Sequence, residues 1–252
     1  MREKNSIYSD AFFATIHEGA VRSARVVVPI LADLTPIRSV VDVGCGSGAW
    51  LTVFKERGVA RVFGIDGSVA SEARAVLAPG EYQQIDLESG FVFEDRFDLC
   101  ISLEVAEHLN PAAARNFVRT LTSASDVVVF SAAVPGQGGT KHINCRWPSY
   151  WQEHFRAFGY VMSDCIRPFV SRNPDIEYWY RQNVFLFVKE NHPLERSARF
   201  SEFRSTGSGP ESPELLLIAP ELLFSPRFLL RLLPGAIVRK IRRRFRRPDS
   251  GT

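Results

Sequence analysis

Short apolar runs, several of them closed by an acid, recur along this chain with helix-like stretches between them. The pattern predicts strands at about 38–43, 61–65, 81–85, 97–103 and 126–132. Such alternation of strand and helix is the signature of a parallel sheet with crossover helices. Ahead of the first strand, Phe12, Phe13, Ile16, Ala20, Ala24, Val27, Val28 and Leu31 recur at helical spacing. They predict a helix over 9–33, with Ser9 as its cap and a kink at Pro29. Residues 111–124 read as the last crossover helix, with Pro111 in its first turn. A helix near 147–158 and strands near 160–166 and 183–189 follow. The link between those two strands, PFVSRNPDIEYWYRQ, is too long for a tight turn and reads as one wall of a pocket. The expected division is a helical cap over 1–37, an α/β domain over 38–190, a polar linker over 191–214 and a tail over 215–252.

The first strand runs into VVDVGCGSG (40–48), where Gly44, Gly46 and Gly48 alternate. Trp50, Leu51, Val53 and Phe54 then supply the apolar face of a helix that Gly58 stops. A turn stripped of side chains between strand and helix lets a ligand lie on the backbone. Gly44, Gly46 and Ala49 also fit the dinucleotide spacing. The acid Asp42 separates the candidates. It is a like charge to a pyrophosphate at the helix N-terminus, but it favours the ammonium and sulfonium of S-adenosylmethionine. The second strand ends in Asp66, 20 residues after Gly46, where a ribose-binding carboxylate belongs. The third ends in Asp86, placed to accept from an adenine amino group with Leu87 beside the ring. Any one of these acids is as readily a cap or turn former. Their order at successive strand ends favours a ligand.

On these segments the chain resembles the class I S-adenosylmethionine-dependent methyltransferases. VVDVGCGSG matches the glycine motif, GIDGS the ribose-binding acid and QIDL the adenine segment. FDLCISLEVAEHL (97–109) matches the fourth strand and the segment beneath the methionine part. The resemblance covers about 9–190. It implies an α/β, Rossmann-like, seven-stranded, mostly parallel sheet with helices on both faces and a final antiparallel hairpin; the N-terminal helix and, beyond the resemblance, a basic C-terminal extension complete the expected fold. It implies cofactor contacts from Asp42, Gly44, Gly46, Gly48, Asp66, Gly67, Asp86, Leu87, Leu103 and Glu104. Later segments, FSAAVPGQGGTKHIN, WPSYW, FGY and YWYRQN, resemble a bacterial subgroup of polysaccharide and secondary-metabolite pathways. Cys145 and Arg146 depart from that subgroup's acidic and amide residues.

Methyl transfer to a hydroxyl needs a positioned acceptor and a base. His142, in the glycine-rich loop after the fifth strand, and His108, in EVAEHL, are the candidates. Packing or capping competes with catalysis for both, more strongly for His108. Trp147, Tyr150 and Trp151 read either as an acceptor pocket or as one packed helix face. The expected activity is transfer, at oxygen, to a small-molecule, glycan or lipid-linked acceptor. A non-catalytic methyltransferase-like module and an NAD-dependent oxidoreductase are the alternatives.

Charge adds one feature. Residues 221–248 carry nine Arg or Lys against Glu221, a net +8 that leaves −5 elsewhere in a chain of +3. Leu and Phe alternate with those bases, which suits an anionic membrane surface. The acidic remainder argues against specific nucleic-acid binding. Cys45, Cys100, Cys145 and Cys165 show no paired spacing and read as reduced thiols. No metal site is expected. The opening MREKNSIYSD lacks an apolar stretch, so the expected location is cytoplasmic, peripheral on the inner membrane face through the tail. The oligomeric state is left open.

Overall fold

The computed structural model describes residues 10–67 and 76–204, with side chains in the first helix from His17 onward. The tail at 215–252, the end of the expected linker and the proposed Ser9 cap lie outside the described residues.

The strands are β1 (Ser39–Val43), β2 (Arg61–Asp66), β3 (Tyr82–Gln84), β4 (Leu99–Leu103), β5 (Val127–Ser131), β6 (Tyr160–Ser163) and β7 (Phe185–Lys189). They form one seven-stranded sheet in the order β3-β2-β1-β4-β5-β7-β6. The pairs from β3 through β5 are parallel. β7 runs antiparallel to both β5 and β6, so the expected final hairpin is present. Six of these strands are shorter than their expected runs, and β2 runs one residue further, to Asp66.

Alternate residues of the central strands face opposite layers, as strand periodicity requires. Val40, Leu99, Ile101, Val127 and Val129 pack in one cluster with α1 (Asp10–Leu34) and α2 (Ala49–Glu56). Val41, Val43, Cys100, Val128 and Phe130 pack in the other with α3 (Ala114–Ala124) and α4 (Pro148–Arg156). Pro29 lies inside α1, which continues to Leu34 as one element. Pro111 opens a 3-10 turn (Pro111–Ala113) ahead of α3 rather than the α-helix itself, capped by the Asn110 side chain. At the amino-terminal edge of the sheet, Asp98 accepts from the Arg38 and Ser39 backbone at 2.8 and 2.9 Å, tying β1 to β4.

The link between β6 and β7 folds into α5 (Arg167–Val170) and α6 (Tyr178–Asn183). Arg167 is fully buried there, paired in a fork with Asp164 at 2.7 and 2.6 Å and donating to the Gln182 carbonyl at 2.8 Å. The stretch read as a linker differs from expectation at its start. A 3-10 turn (Pro193–Arg196) and α7 (Ala198–Glu202) bury Leu194 and Phe200 in the core, and Arg204 bridges to Ser163 on the sheet edge. Two apolar residues among many polar ones suffice to dock a short helix, and composition averages hide them.

Candidate active site

The carboxyl ends of β1, β2 and β4 converge on the glycine turn. Gly44, Gly46 and Gly48 have φ of 87°, 50° and 74°, all in the left-handed region. The Gly44 and Cys45 N–H groups donate to the Ile65 carbonyl at 2.7 and 3.1 Å, folding the turn against the end of β2. A Cβ on Gly44 would lie 2.4 Å from the Val105 side chain, so that position admits only glycine. A Cβ on Gly46 would meet nothing within 4 Å, so the turn's outer face is open. The two glycines thus serve different ends: one lets the backbone pack inward, the other leaves room for a ligand.

Asp66 closes β2 beside this turn, its Oδ2 accepting from the Gly46 N–H at 2.9 Å. Asp42 is buried beneath the turn at 3% exposure. Burial pushes its carboxyl well above the usual range, and the nearby Asp66 charge pushes the same way. Gly67 follows Asp66, its carbonyl accepting from the Gln84 side chain at 3.1 Å. Asp86 lies exposed beyond the end of β3 and caps its own turn, Oδ1 accepting from the Glu88 N–H at 3.0 Å. Leu87 is buried with Val43, Ile65 and Ala106.

α1 reaches the same turn from above: His17 Nδ1 and Ser47 Oγ are 2.7 Å apart. Its far side grips the α6 segment, with the Ser23 hydroxyl accepting from the Glu177 N–H and Arg22 paired to the Glu177 carboxylate at 3.1 Å.

Past β4 the backbone bends sharply. Leu103 is buried, and Glu104 sits at φ 57°, a conformation costing a non-glycine residue about 1–3 kcal/mol. Its carboxylate accepts from Gln137 at 3.1 Å and from Asn183 at 3.0 Å, while its N–H donates to the Ser131 carbonyl. Burial raises the Glu104 carboxyl, and those amide donors pull it back. A 3-10 turn (Ala106–His108) then places Glu107 and His108. Glu107 is fully buried. Its carboxyl lies near the Ala133 N–H and the Glu104 carboxyl, yet neither oxygen closes a hydrogen bond of good geometry. Burial, then the Glu104 charge, push it well above the carboxylate range.

The loop after β5 folds back onto this turn, with the Ile143 and Asn144 N–H groups donating to the Glu107 carbonyl at 2.8 and 2.9 Å. That brings the His142 ring edge-on to His108, centroids 4.8 Å apart. His142 lies flat over Gly139, where any Cβ would strike the ring. Burial, aided by His108, holds His142 down at about 4. Burial also lowers His108.

The structure therefore brings Asp42, Gly44, Gly46, Gly48, Asp66, Leu103, Glu104, His108 and His142 to one edge of the sheet. Gln137, Asn183, His17 and Ser47 were not singled out from the sequence. Only the adjacency of Asn183 to an apolar strand and of Gln137 to the Pro–Gly turn hinted at them. Trp151 is core, packed on Phe130, while Tyr150 is partly exposed on the same helix. Cys45, Cys100, Cys145 and Cys165 stand as separate thiols, three of them buried.

Residues 41–129 match the family described as "Methyltransferase domain". A ubiquinone biosynthesis O-methyltransferase of Methylobacterium sp. (strain 4-46) is 35% identical over 100 residues, a match spanning 37% of this chain and 37% of that protein. Among solved structures, DesVI of Streptomyces venezuelae superposes with a TM-score of 0.52 at 17% identity, covering 71% of this chain and 96% of its own. An amino pentose methyltransferase from Micromonospora echinaspora, solved with S-adenosylmethionine bound, gives a TM-score of 0.52 at 17% identity, covering 75% of this chain and 100% of its own. A sugar N-methyltransferase from Streptoalloteichus gives 0.52 at 17% identity, covering 75% and 98%. At these identities the structural likeness speaks for the fold.

Proposed function

We propose that this chain, which carries a class I S-adenosylmethionine-dependent methyltransferase domain, transfers a methyl group from S-adenosylmethionine to a hydroxyl of a small-molecule or glycan acceptor. The observation that carries the reading is the carboxyl pair around the open glycine turn. A buried Asp42 and a neighbouring Asp66 make that pocket hostile to a pyrophosphate and hospitable to a cationic ligand. The residues fit the cofactor: Gly46 leaves space on the turn, Asp66 has a carboxylate at the ribose position, and Leu103 and Glu104 follow the fourth strand beneath the methionine end. We assign Gly67, Asp86 and Leu87 to the adenine side.

When bound, the cofactor supplies an electrophilic methyl on a positively charged sulfur. The chain's own work is to hold the acceptor in line with it, which is where most of the rate arises. We place the acceptor against the edge formed by Glu104, His108 and His142. Burial lowers both histidines from their ordinary value, which favours the neutral ring, and a neutral ring keeps one nitrogen able to accept a hydroxyl proton. The relatives' own names cover oxygen and nitrogen acceptors, the former in ubiquinone biosynthesis and the latter on sugars. We favour oxygen because a lone neutral histidine edge suits a hydroxyl proton.

Titration calorimetry with S-adenosylmethionine, S-adenosylhomocysteine and NAD tests the cofactor. Binding of the first two is expected, weakened roughly tenfold or more in Asp66→Ala by loss of charge-assisted hydrogen bonds. Binding of NAD alone would overturn the reading. Labelled methyl transfer into panels of glycans and lipid extracts then separates an enzyme from a non-catalytic module, which would bind the cofactor and label nothing.

A further inference from the structure

We infer that Glu107, His108 and His142 form a divalent-cation site, with Glu104 at its inner edge. One ligand atom from each of the three lies within 4.8 Å of the others. That spread closes onto one ion, at bonds of about 2.1 Å, with a small rotation of a side chain. Three independent features point to an ion rather than to packing. Glu107 is fully buried, and neither carboxyl oxygen closes a hydrogen bond of good geometry, its nearest polar groups being the Ala133 N–H and the Glu104 carboxyl. A buried carboxylate in that state is expensive unless paired or metal-bound. His142 Nδ1 is likewise buried and without a partner. None of the ion pairs among the described residues reaches Glu104 or Glu107, so no lysine or arginine neutralises the two neighbouring carboxyls.

The chain builds the pocket deliberately. Loop 134–146 is pinned to the turn through the Glu107 carbonyl and through Asn144, whose amide donates to the Ala106 carbonyl at 3.4 Å. The His108 ring lies against the Lys141 backbone, whose polar group can engage one of its nitrogens. An outer contact of this kind fixes the tautomer and leaves the other nitrogen to face a metal. His108 is exposed, which gives an ion a route in from solvent. Gly139 is the floor that lets the His142 ring lie where it does.

Two imidazoles and one carboxylate form a mixed nitrogen–oxygen set that suits Mn2+ or Zn2+ better than Ca2+ or Mg2+. Three protein ligands leave positions open for water or a hydroxyl oxygen of the acceptor. An acceptor hydroxyl held there would lose its proton to solvent more readily. Its oxygen then bonds the methyl carbon while the carbon–sulfur bond breaks, and its electron pair stays on sulfur as a neutral thioether. The inference deepens the proposed reaction by giving His108 and His142 to the ion, so that solvent and not a histidine takes the hydroxyl proton; ion binding is separable from it.

The test uses the full chain stripped of metal. Mn2+ binding is followed by electron paramagnetic resonance and calorimetry, with Zn2+ as a second probe, and S-adenosylmethionine binding is measured in parallel. One equivalent of Mn2+ or Zn2+ is expected, weakened tenfold or more in His142→Ala and in Glu107→Gln. Because Glu107→Gln can disturb the core, thermal unfolding is compared with and without Mn2+. The wild type is expected to gain stability from the ion and His142→Ala to gain none. Absence of stoichiometric binding of either ion to the wild type, or equal binding by His142→Ala, overturns the site. Retained S-adenosylmethionine binding in that event would leave the methyltransferase reading standing.

Discussion

On the proposed reading cofactor choice turns on Asp42, and its burial makes that choice measurable. Because the enclosed carboxyl is held well above its ordinary range by burial and by Asp66, a cationic ligand beside it is expected to favour release of its proton. Its folded value is raised, so its contribution to stability is complete below the unfolded value and is lost as pH rises through the folded one. A cation supplied by the cofactor removes that loss. S-Adenosylmethionine is therefore expected to bind more tightly as pH rises above the ordinary carboxylate range, with proton release visible when calorimetry is repeated in buffers of different ionisation heat. A pH-independent affinity would show that Asp42 does not face the ligand's charge. The glycines and the acids at strand ends were legible in the sequence because backbone-permissive residues and carboxylates in that order have few other uses. Glu104's amide partners were not. Gln137 and Asn183 lie 33 and 79 residues away from it in the chain, and only the folded sheet edge brings them together. Asp86 shows the converse: its turn-capping bond satisfies an ordinary local role at a position read as a ligand contact.

At the scale of elements, periodicity located the strands and helices well because each buries one clear apolar face. It was least informative where few residues decide the packing. α7 is five residues long and is held by Phe200, which is fully buried. Phe200→Ala is expected to destabilise the domain by about 3–5 kcal/mol, the usual cost of emptying a buried phenylalanine site. Urea denaturation measures it. A change near zero would return 193–204 to the status of a linker. α1, expected as part of a helical cap, packs in the core and also reaches the glycine turn. Its apolar stripe is core, from Ala20 to Leu31, while His17 touches the glycine turn through Ser47.

At the scale of the molecule, no helix among the described residues is long and apolar enough to cross a membrane. We propose that the +8 segment at 221–248 holds the acidic domain at an anionic surface, each base adding about 1 kcal/mol near the lipid. Deleting 221–252 is expected to abolish sedimentation with anionic vesicles and to leave S-adenosylmethionine affinity unchanged. Undiminished vesicle binding by the shortened chain would rule the tail out as the anchor. The order of strands carries a consequence of a different kind. Among the described residues β7 is the last strand made, yet it lies between β5 and β6. Until the ribosome has delivered Lys189, β5 presents a bare hydrogen-bonding edge and β6 has no neighbour to join. A nascent chain halted short of that residue is thus an incomplete sheet with a sticky margin, so translation pauses in this gene belong after β7, never before it.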